Sequence, residues 1–349
     1  MSTNDRLQKG DTILVTGATG LLGASTVDAL ISRGFKVRGV TRDVAKTQPL
    51  KDKIEVLYGP GKIEFVQIED ATKPDAYLAA LQGTTGLIHL AVDLGSVFAP
   101  DASVDSAVRS ATDMTLGLLK TATKIPTIKA AVVTSSNVSI YNPEYGKDLD
   151  VSLKDYNEKS VENALAVPKD HPFRTGYIYS AAKTRSEQAL WKWFSETKPR
   201  FSVNTVLPHM TIGQPFNPAE GVYSTSTWLN ELFDGKLDSP IVGFLAPGSW
   251  FVDVRDCAIV HVGALLDTST DGHRLWAAGQ PPVHVNEVLK IWREAFPNHE
   301  LPPDFDLPAQ PKQNLDREAS TQLLQRYAGR SWTPLKETLI DNVKNHIKA

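Results

Sequence analysis

The chain has 349 residues, 41% hydrophobic and 22% charged, with a formal net charge of -3 and a pI near 6.3. That composition belongs to a globular protein with room for one large core and a smaller elaboration, and it excludes a disordered chain or a global attraction to nucleic acid or anionic membrane. A single cysteine, Cys257, excludes a disulfide framework or a cysteine-rich zinc site within the chain and reads as a buried small hydrophobe.

Met1 to Gly10 is polar and lacks the apolar stretch of a signal peptide. No later segment reaches the roughly 18 to 20 apolar residues that span a bilayer, so a cytoplasmic protein without membrane contact is expected. Thr12 to Thr16 predicts the first strand, followed by a glycine-punctuated turn and a helix over Leu21 to Ser32. Phe35 to Thr41, Ile63 to Ile68, Gly86 to Ala91 and Ala130 to Ser135 continue the strand series, with helices between them, Ser103 to Thr123 the clearest. A helix over Tyr177 to Glu196 and a strand over Ser202 to Leu207 follow. This alternation predicts an α/β fold, a doubly wound parallel sheet covered on both faces, and the all-apolar Ile13-Leu14-Val15 fits a strand buried on both sides. After Pro208 the prolines cluster (Pro215, Pro218, Pro247, Pro281, Pro282) and helix signals shorten; Pro297 to Pro311 should wind over the surface. The expected division is a nucleotide-binding domain over residues 1–208 and a smaller substrate lobe over 209–349, interleaved with segments that return to the sheet.

The stretch Thr16-Gly17-Ala18-Thr19-Gly20-Leu21-Leu22-Gly23 lies directly between the first strand and the first helix. Three glycines so spaced permit a sharp turn, close approach of a pyrophosphate and close packing of helix on strand, and the helix N-terminus offers its N–H groups to the anion. Gly17, Thr19, Gly20, Leu21, Leu22 and Gly23 are therefore expected to hold a dinucleotide on a Rossmann-type sheet. At the end of the second strand an acidic residue would select NAD and an arginine NADP. Here Arg42 offers a planar fork to a 2′-phosphate, Lys46 adds a charge, and Asp43 falls where it would cap the next helix. NADPH is the expected cofactor.

Tyr179 and Lys183 stand four residues apart, on one face of a helix. A phenol with a pKa near 10 exchanges protons poorly at neutral pH, and a neighbouring ammonium is expected to lower that pKa. Val132 to Ser136 ends a buried strand in hydroxyls at the edge where open sheets bind ligands, where a serine can hold a carbonyl oxygen. Tyr58 and Lys62 share the spacing but flank Gly59-Pro60-Gly61, which cannot be helix interior.

On these motifs, with His89-Leu90-Ala91 and Val206-Leu207-Pro208, the first 210 or so residues resemble extended short-chain dehydrogenases/reductases. The resembling branch contains dihydroflavonol and cinnamoyl-CoA reductases and fungal aldehyde reductases; Ser224 to Trp228 is most similar to the last. The resemblance implies a catalytic Ser136, Tyr179 and Lys183, with Lys183 also on the nicotinamide ribose. It places Asp70 at the adenine, Ala91 and Thr134 beside the cofactor, and Pro208 and Ser226 near the nicotinamide end and a phosphate. Where many relatives carry an asparagine in the fourth helix, this chain has Asp113 to Gly117, so a relay through such an asparagine is not expected.

The substrate side is expected from Val92, Phe98, Ser136, Tyr177, His209, Trp228, Phe244 and Trp250, a mainly apolar or aromatic set suited to a hydrophobic carbonyl compound. Each of these can equally be core packing, and His89 reads as structural. The expected reaction is NADPH-dependent reduction of aldehydes or ketones by a monomer or homodimer. Rival readings are a sugar-nucleotide epimerase or steroid-type dehydrogenase on the same scaffold, or a catalytically silent NADP sensor. Lys236 is the one cation between His209 and Ser249, which counts against a nucleotide sugar.

Overall fold

The computed structural model describes residues 5–99, 101–217, 225–344 and 346–347; Met1 to Asn4, Pro218 and Ser224 lie outside the described residues. Twelve strands run in chain order among these: β1 Thr12–Thr16, β2 Lys36–Thr41, β3 Ile63–Gln67, β4 Gly86–His89, β5 Ala130–Thr134, β6 Leu149–Val151, β7 Ser202–Pro208, β8 Met210–Ile212, β9 Ser249–Asp253, β10 Arg274–Ala277, β11 Gln280–Val283 and β12 Gln313–Leu315. The helices begin with α1 Leu21–Ile31, α2 Gln48–Tyr58, α3 Leu78–Leu81, α4 Leu94–Phe98, α5 Val104–Ala122, α6 Glu158–Ala166 and α7 Arg174–Thr197. They continue with α8 Thr225–Phe233, α9 Pro240–Leu245, α10 Val254–Leu266, α11 Val285–Ala295, α12 Glu318–Ala328 and α13 Leu335–Lys344.

Seven strands form one sheet in the order β10-β7-β5-β4-β1-β2-β3, every neighbouring pair parallel. The expected strands and helices are present, β1 over the expected residues and the other ends moved by at most three. Ile13, Leu14 and Val15 are fully buried because helices cover both faces. On one face α1, α10 and α12 pack over Val15, Ile88 and Val132; on the other α3, α5 and α7 pack over Leu14, Leu87 and Val133. The order reverses between β1 and β4, and this switch point opens a crevice at the carboxyl ends of the strands.

A third core joins α8, α9, α11 and α13 to β8, β9 and β11 through Phe233, Trp292, Phe251 and Leu339. The segment from α10 to β10 lies on the main sheet: α10 is apolar nearly all round and sits between the sheet, α1 and α12. Residues 297–311 carry no regular structure. They do not simply ride on the surface, since Pro302 and Pro311 are buried and Asn286 bonds both polar groups of the Phe305 backbone at 2.8 Å.

Candidate active site

The β1–α1 turn sits at the switch point. Gly17 adopts φ +66°, and a Cβ there would meet the Ala91 nitrogen at 3.0 Å, so the turn and the loop after β4 lie against each other. The Thr16 hydroxyl oxygen accepts from Leu90 N and Ala91 N, both at 3.1 Å, and donates to His89 Nδ1 at 2.7 Å. His89 is buried, and burial with the Lys183 charge holds its pKa down at about 3, so it is a neutral structural group. A Cβ on Gly23 would overlap the Gly17 carbonyl oxygen and lie 2.8 Å from the Ala18 carbonyl carbon; only glycine lets α1 pack this closely on its own turn. Gly20 caps α1 without a side-chain bond, and no acidic residue stands in the first turn. The N–H groups around Leu21 and Leu22, with Thr19 beside them, therefore form an uncapped, positively polarised end that fits the pyrophosphate of a dinucleotide.

Arg42, at the end of β2, is exposed and makes no hydrogen bond or ion pair among the described residues. Asp43 caps the following 3-10 turn by accepting from Ala45 N at 3.0 Å, as expected, and Lys46 stands 3.9 Å from it, 83% exposed at the side chain. Asp70 lies beyond β3 and accepts from Thr72 N at 3.0 Å and Thr72 Oγ1 at 2.6 Å. Pro208 ends β7 on the other side of the crevice. Ser226 is buried, its hydroxyl donating to the Gly213 carbonyl at 3.3 Å within the smaller lobe.

Ser136 follows β5, and its hydroxyl is near enough to the Tyr179 phenol to act on it. Tyr179 and Lys183 are one helical turn apart on α7, both partly buried. The Lys183 Nζ donates to the Thr134 carbonyl at 3.1 Å. That carbonyl belongs to a residue fixed in turn by His261: the Nδ1 of His261 meets the Cys257 carbonyl at 2.8 Å and must carry the proton, so Nε2 accepts from Thr134 Oγ1 at 2.8 Å. Burial lowers the Lys183 pKa to about 8, partly opposed by the negative charge of Glu187. Burial pushes the Tyr179 phenol up, with the Ser136 hydrogen bond working the other way. The net shift of the phenol is thus upward where a downward one was expected, because desolvation of the phenolate outweighs the Ser136 contribution.

Tyr58 is not part of this site. It ends α2, donates to Asp28 at 2.6 Å, and is followed by Gly59 and Gly61 at positive φ.

Of the expected substrate residues, Phe98 is 56% exposed and Phe244 44% exposed, Phe244 stacking on Trp228 with ring centroids 5.7 Å apart. Val92 is exposed and Tyr177 stacks on His171. His209 and Trp250 are buried, His209 caged by the Tyr141, Trp250 and Trp276 rings at 5.9, 6.3 and 5.3 Å, with a pKa held down at about 3 by burial. Glu187 and its partner Arg274 were not anticipated from the sequence. The spacing of four from Lys183 is the one local signal that points to Glu187.

A glycine-cornered crevice at a sheet reversal, beside a Ser–Tyr–Lys set, defines a class of nucleotide-dependent enzymes. The chain belongs to the NAD dependent epimerase/dehydratase family, whose model matches residues 13–276. Within it the chain is 32% identical over 341 residues to aldehyde reductase 2 of Sporidiobolus salmonicolor, with 97% of each chain covered. It is 34% identical over 340 residues to a ketoreductase of Penicillium rubens, with 96% of each covered. Among solved structures the fold is shared with yeast methylglyoxal/isovaleraldehyde reductase Gre2 complexed with NADPH, at a TM-score of 0.78 and 22% identity, covering 97% of this chain and 98% of that one. No helix among the described residues is long and apolar enough to cross a membrane.

Proposed function

We propose that the protein is an NADPH-dependent reductase of hydrophobic aldehydes or ketones. The observation that carries the reading is the gathering of Ser136, Tyr179 and Lys183 at the carboxyl edge of the sheet, Lys183 tied to the Thr134 carbonyl at 3.1 Å, next to an uncapped helix end. The names of the relatives, an aldehyde reductase and a ketoreductase, support the same chemistry.

Gly17 to Gly23 would hold the pyrophosphate of NADPH, which would supply the hydride for the carbonyl carbon. Ser136 donates its hydroxyl hydrogen bond to the carbonyl oxygen and orients it. Tyr179, a phenol and so protonated at neutral pH, gives its proton to that oxygen as negative charge develops there. Lys183, held by the Thr134 carbonyl, adds a positive charge beside the phenol and stabilises the phenolate left behind. Val92, Phe98, Tyr177, Trp228 and Phe244 form an apolar wall for the substrate, while His209 and Trp250 support it from within the core. The sugar-nucleotide alternative is weakened by Lys236, which is already 3.6 Å from Glu231 and so not a free phosphate ligand. The one, buried cysteine suits a reducing compartment such as the cytoplasm.

The test is NADPH oxidation by the purified protein with aryl ketones, β-ketoesters and aldehydes. Turnover with hydrophobic members is expected. No consumption of NADPH with any carbonyl, together with tight retention of NAD⁺, would instead favour an epimerase.

Arg42, exposed and unpaired, is the residue that distinguishes NADPH from NADH. Charge-assisted hydrogen bonds of about 1.5–3 kcal/mol correspond to roughly 10- to 100-fold in affinity. Arg42→Gln is expected to raise the Kd for NADPH by about that factor and leave the Kd for NADH unchanged, measured by quenching of protein fluorescence. Equal losses for both cofactors would remove Arg42 from the 2′-phosphate. Lys46→Ala is expected to act weakly, since its side chain is solvated and already near Asp43.

A further inference from the structure

One turn beyond Lys183 on α7 lies Glu187, 3% exposed. Its Oε2 accepts from Ser135 Oγ at 2.6 Å, Ser139 Oγ at 2.7 Å and Arg274 Nη2 at 3.0 Å. Its Oε1 accepts from Thr205 Oγ1 at 2.8 Å and Arg274 Nε at 2.9 Å, with Trp191 Nε1 at 3.4 Å. One carboxylate therefore joins α7 to the end of β5, to the 3-10 turn Asn137–Ser139, to β7 and to β10. Burying an ion pair gives little net stability against well-packed apolar residues of the same volume, so stability alone is a weak reason for this arrangement.

Two features tie the carboxylate to the chemistry. Ser135 and Ser139 flank Ser136, and the Ser139 hydroxyl also lies 2.8 Å from the Ser136 carbonyl, so Glu187 grips both ends of the turn that presents Ser136. Arg274 approaches from the sheet edge, where it also bonds the Asp155 carbonyl at 2.9 Å and lies 4.3 Å from the Tyr156 ring centroid. Glu187 stands one helical turn from Lys183 on the same helix, and its negative charge works against the loss of the Lys183 proton. The other groups facing Lys183 are Tyr179 on its own helix, the Thr134 carbonyl of β5 and His89 of β4, which is neutral. Beyond Arg274, the titratable neighbour of Glu187 is Tyr156. Among the described residues Glu187 is the anion that supports the Lys183 charge.

We propose that Glu187, oriented by Arg274, is a positioning residue of the reductase site that pins the Ser136 turn and keeps the Lys183 ammonium charged. The inference rests on the Ser136, Tyr179 and Lys183 reading above. With Glu187→Gln, shape is kept and the negative charge removed, so Lys183 loses its proton at lower pH than in the parent protein. Reduction needs the charged form; the alkaline fall of kcat/KM should therefore move down by about one pH unit, the low end of what a nearby opposite charge contributes. Ser139→Ala removes one neutral bond and keeps the charge, and is expected to leave that limb in place. An unmoved limb in Glu187→Gln, or an equal movement in Ser139→Ala, overturns the electrostatic role.

Glu187→Asp covers the case in which Glu187→Gln does not fold. It keeps the charge and withdraws it by one methylene, so the expected result is an unmoved limb with kcat lowered about tenfold, the scale on which small misplacements act. An unchanged kcat overturns the pinning role. Tyr179→Phe is measured in parallel: if it turns over normally the site itself has been misread, whereas an inactive Tyr179→Phe beside a Glu187→Gln enzyme with the parent pH profile removes only Glu187.

Discussion

Tyr179→Phe is expected to lower kcat for carbonyl reduction by about 10²- to 10⁴-fold, the range contributed by a positioned proton donor. The substitution deletes one oxygen from a ring that packs against the cluster containing Val97, Ala107 and Ile178, so the fold and the glycine turn after β1 are left as they are. NADPH should bind with a Kd within a few-fold of the parent protein, and the melting temperature should move little. The loss is assigned to the proton because Ser136 keeps its hydroxyl and Lys183 its contact with Thr134. Stopped-flow measurement of NADPH oxidation under saturating substrate checks this. Near-normal turnover with intact cofactor binding would exclude Tyr179 as the donor and return attention to Ser136 or a water molecule.

Gly23→Ala tests the other half of the site. The new methyl would overlap the Gly17 carbonyl oxygen; the backbone fixes the position of the methyl carbon and the oxygen is itself backbone, so neither can rotate away. Forcing extra atoms into a close-packed contact destabilises by about 1–3 kcal/mol. At about 2–4 °C per kcal/mol for large domains, the melting temperature is expected to fall by roughly 5 °C. Moving α1 off the turn also misplaces the N–H groups that face the pyrophosphate, and loss of even one such charged hydrogen bond weakens NADPH about 10- to 100-fold. Gly117→Ala is the matched control: it lies inside α5 with nothing within 4 Å of a new Cβ, and should be neutral or slightly stabilising. Thermal scans with and without NADPH measure both effects. If Gly23→Ala and Gly117→Ala behave alike, the close approach of helix and turn has no bearing on the site.

Much of this was legible in the chain because it is local. The β1–α1 turn lies within eight consecutive residues, and the tyrosine and lysine within five, so spacing alone put them on one corner and one helix face. Ser136 was legible as the end of an apolar strand. The rejection of Tyr58 was legible too, since Gly59 and Gly61 sit at positive φ where no helix continues. Less legible was the electrostatics: the sequence puts an ammonium near a phenol but says nothing about how much water each retains, and burial turned the expected depression of Tyr179 into an elevation.

By itself the sequence determined the alternating layers, the glycine turn after β1 and the placing of Tyr179 and Lys183 on one face of α7, because each depends on contacts between near neighbours in the chain. The tertiary structure decided which distant groups control them. Glu187 gathers Ser135, Ser139, Thr205 and Arg274 from 52, 48, 18 and 87 residues away, and Thr134 is set by His261 from 127 residues away. No periodicity brings such residues together; the parallel crossovers of the sheet do, by bringing the end of β5, the middle of β7 and the start of β10 together against α7. Tertiary packing likewise sealed His209 and Trp250 inside an aromatic cage while leaving Phe98 and Phe244 at the surface. Composition made all four look alike, and only the depth at which the fold places each ring separated buried from exposed.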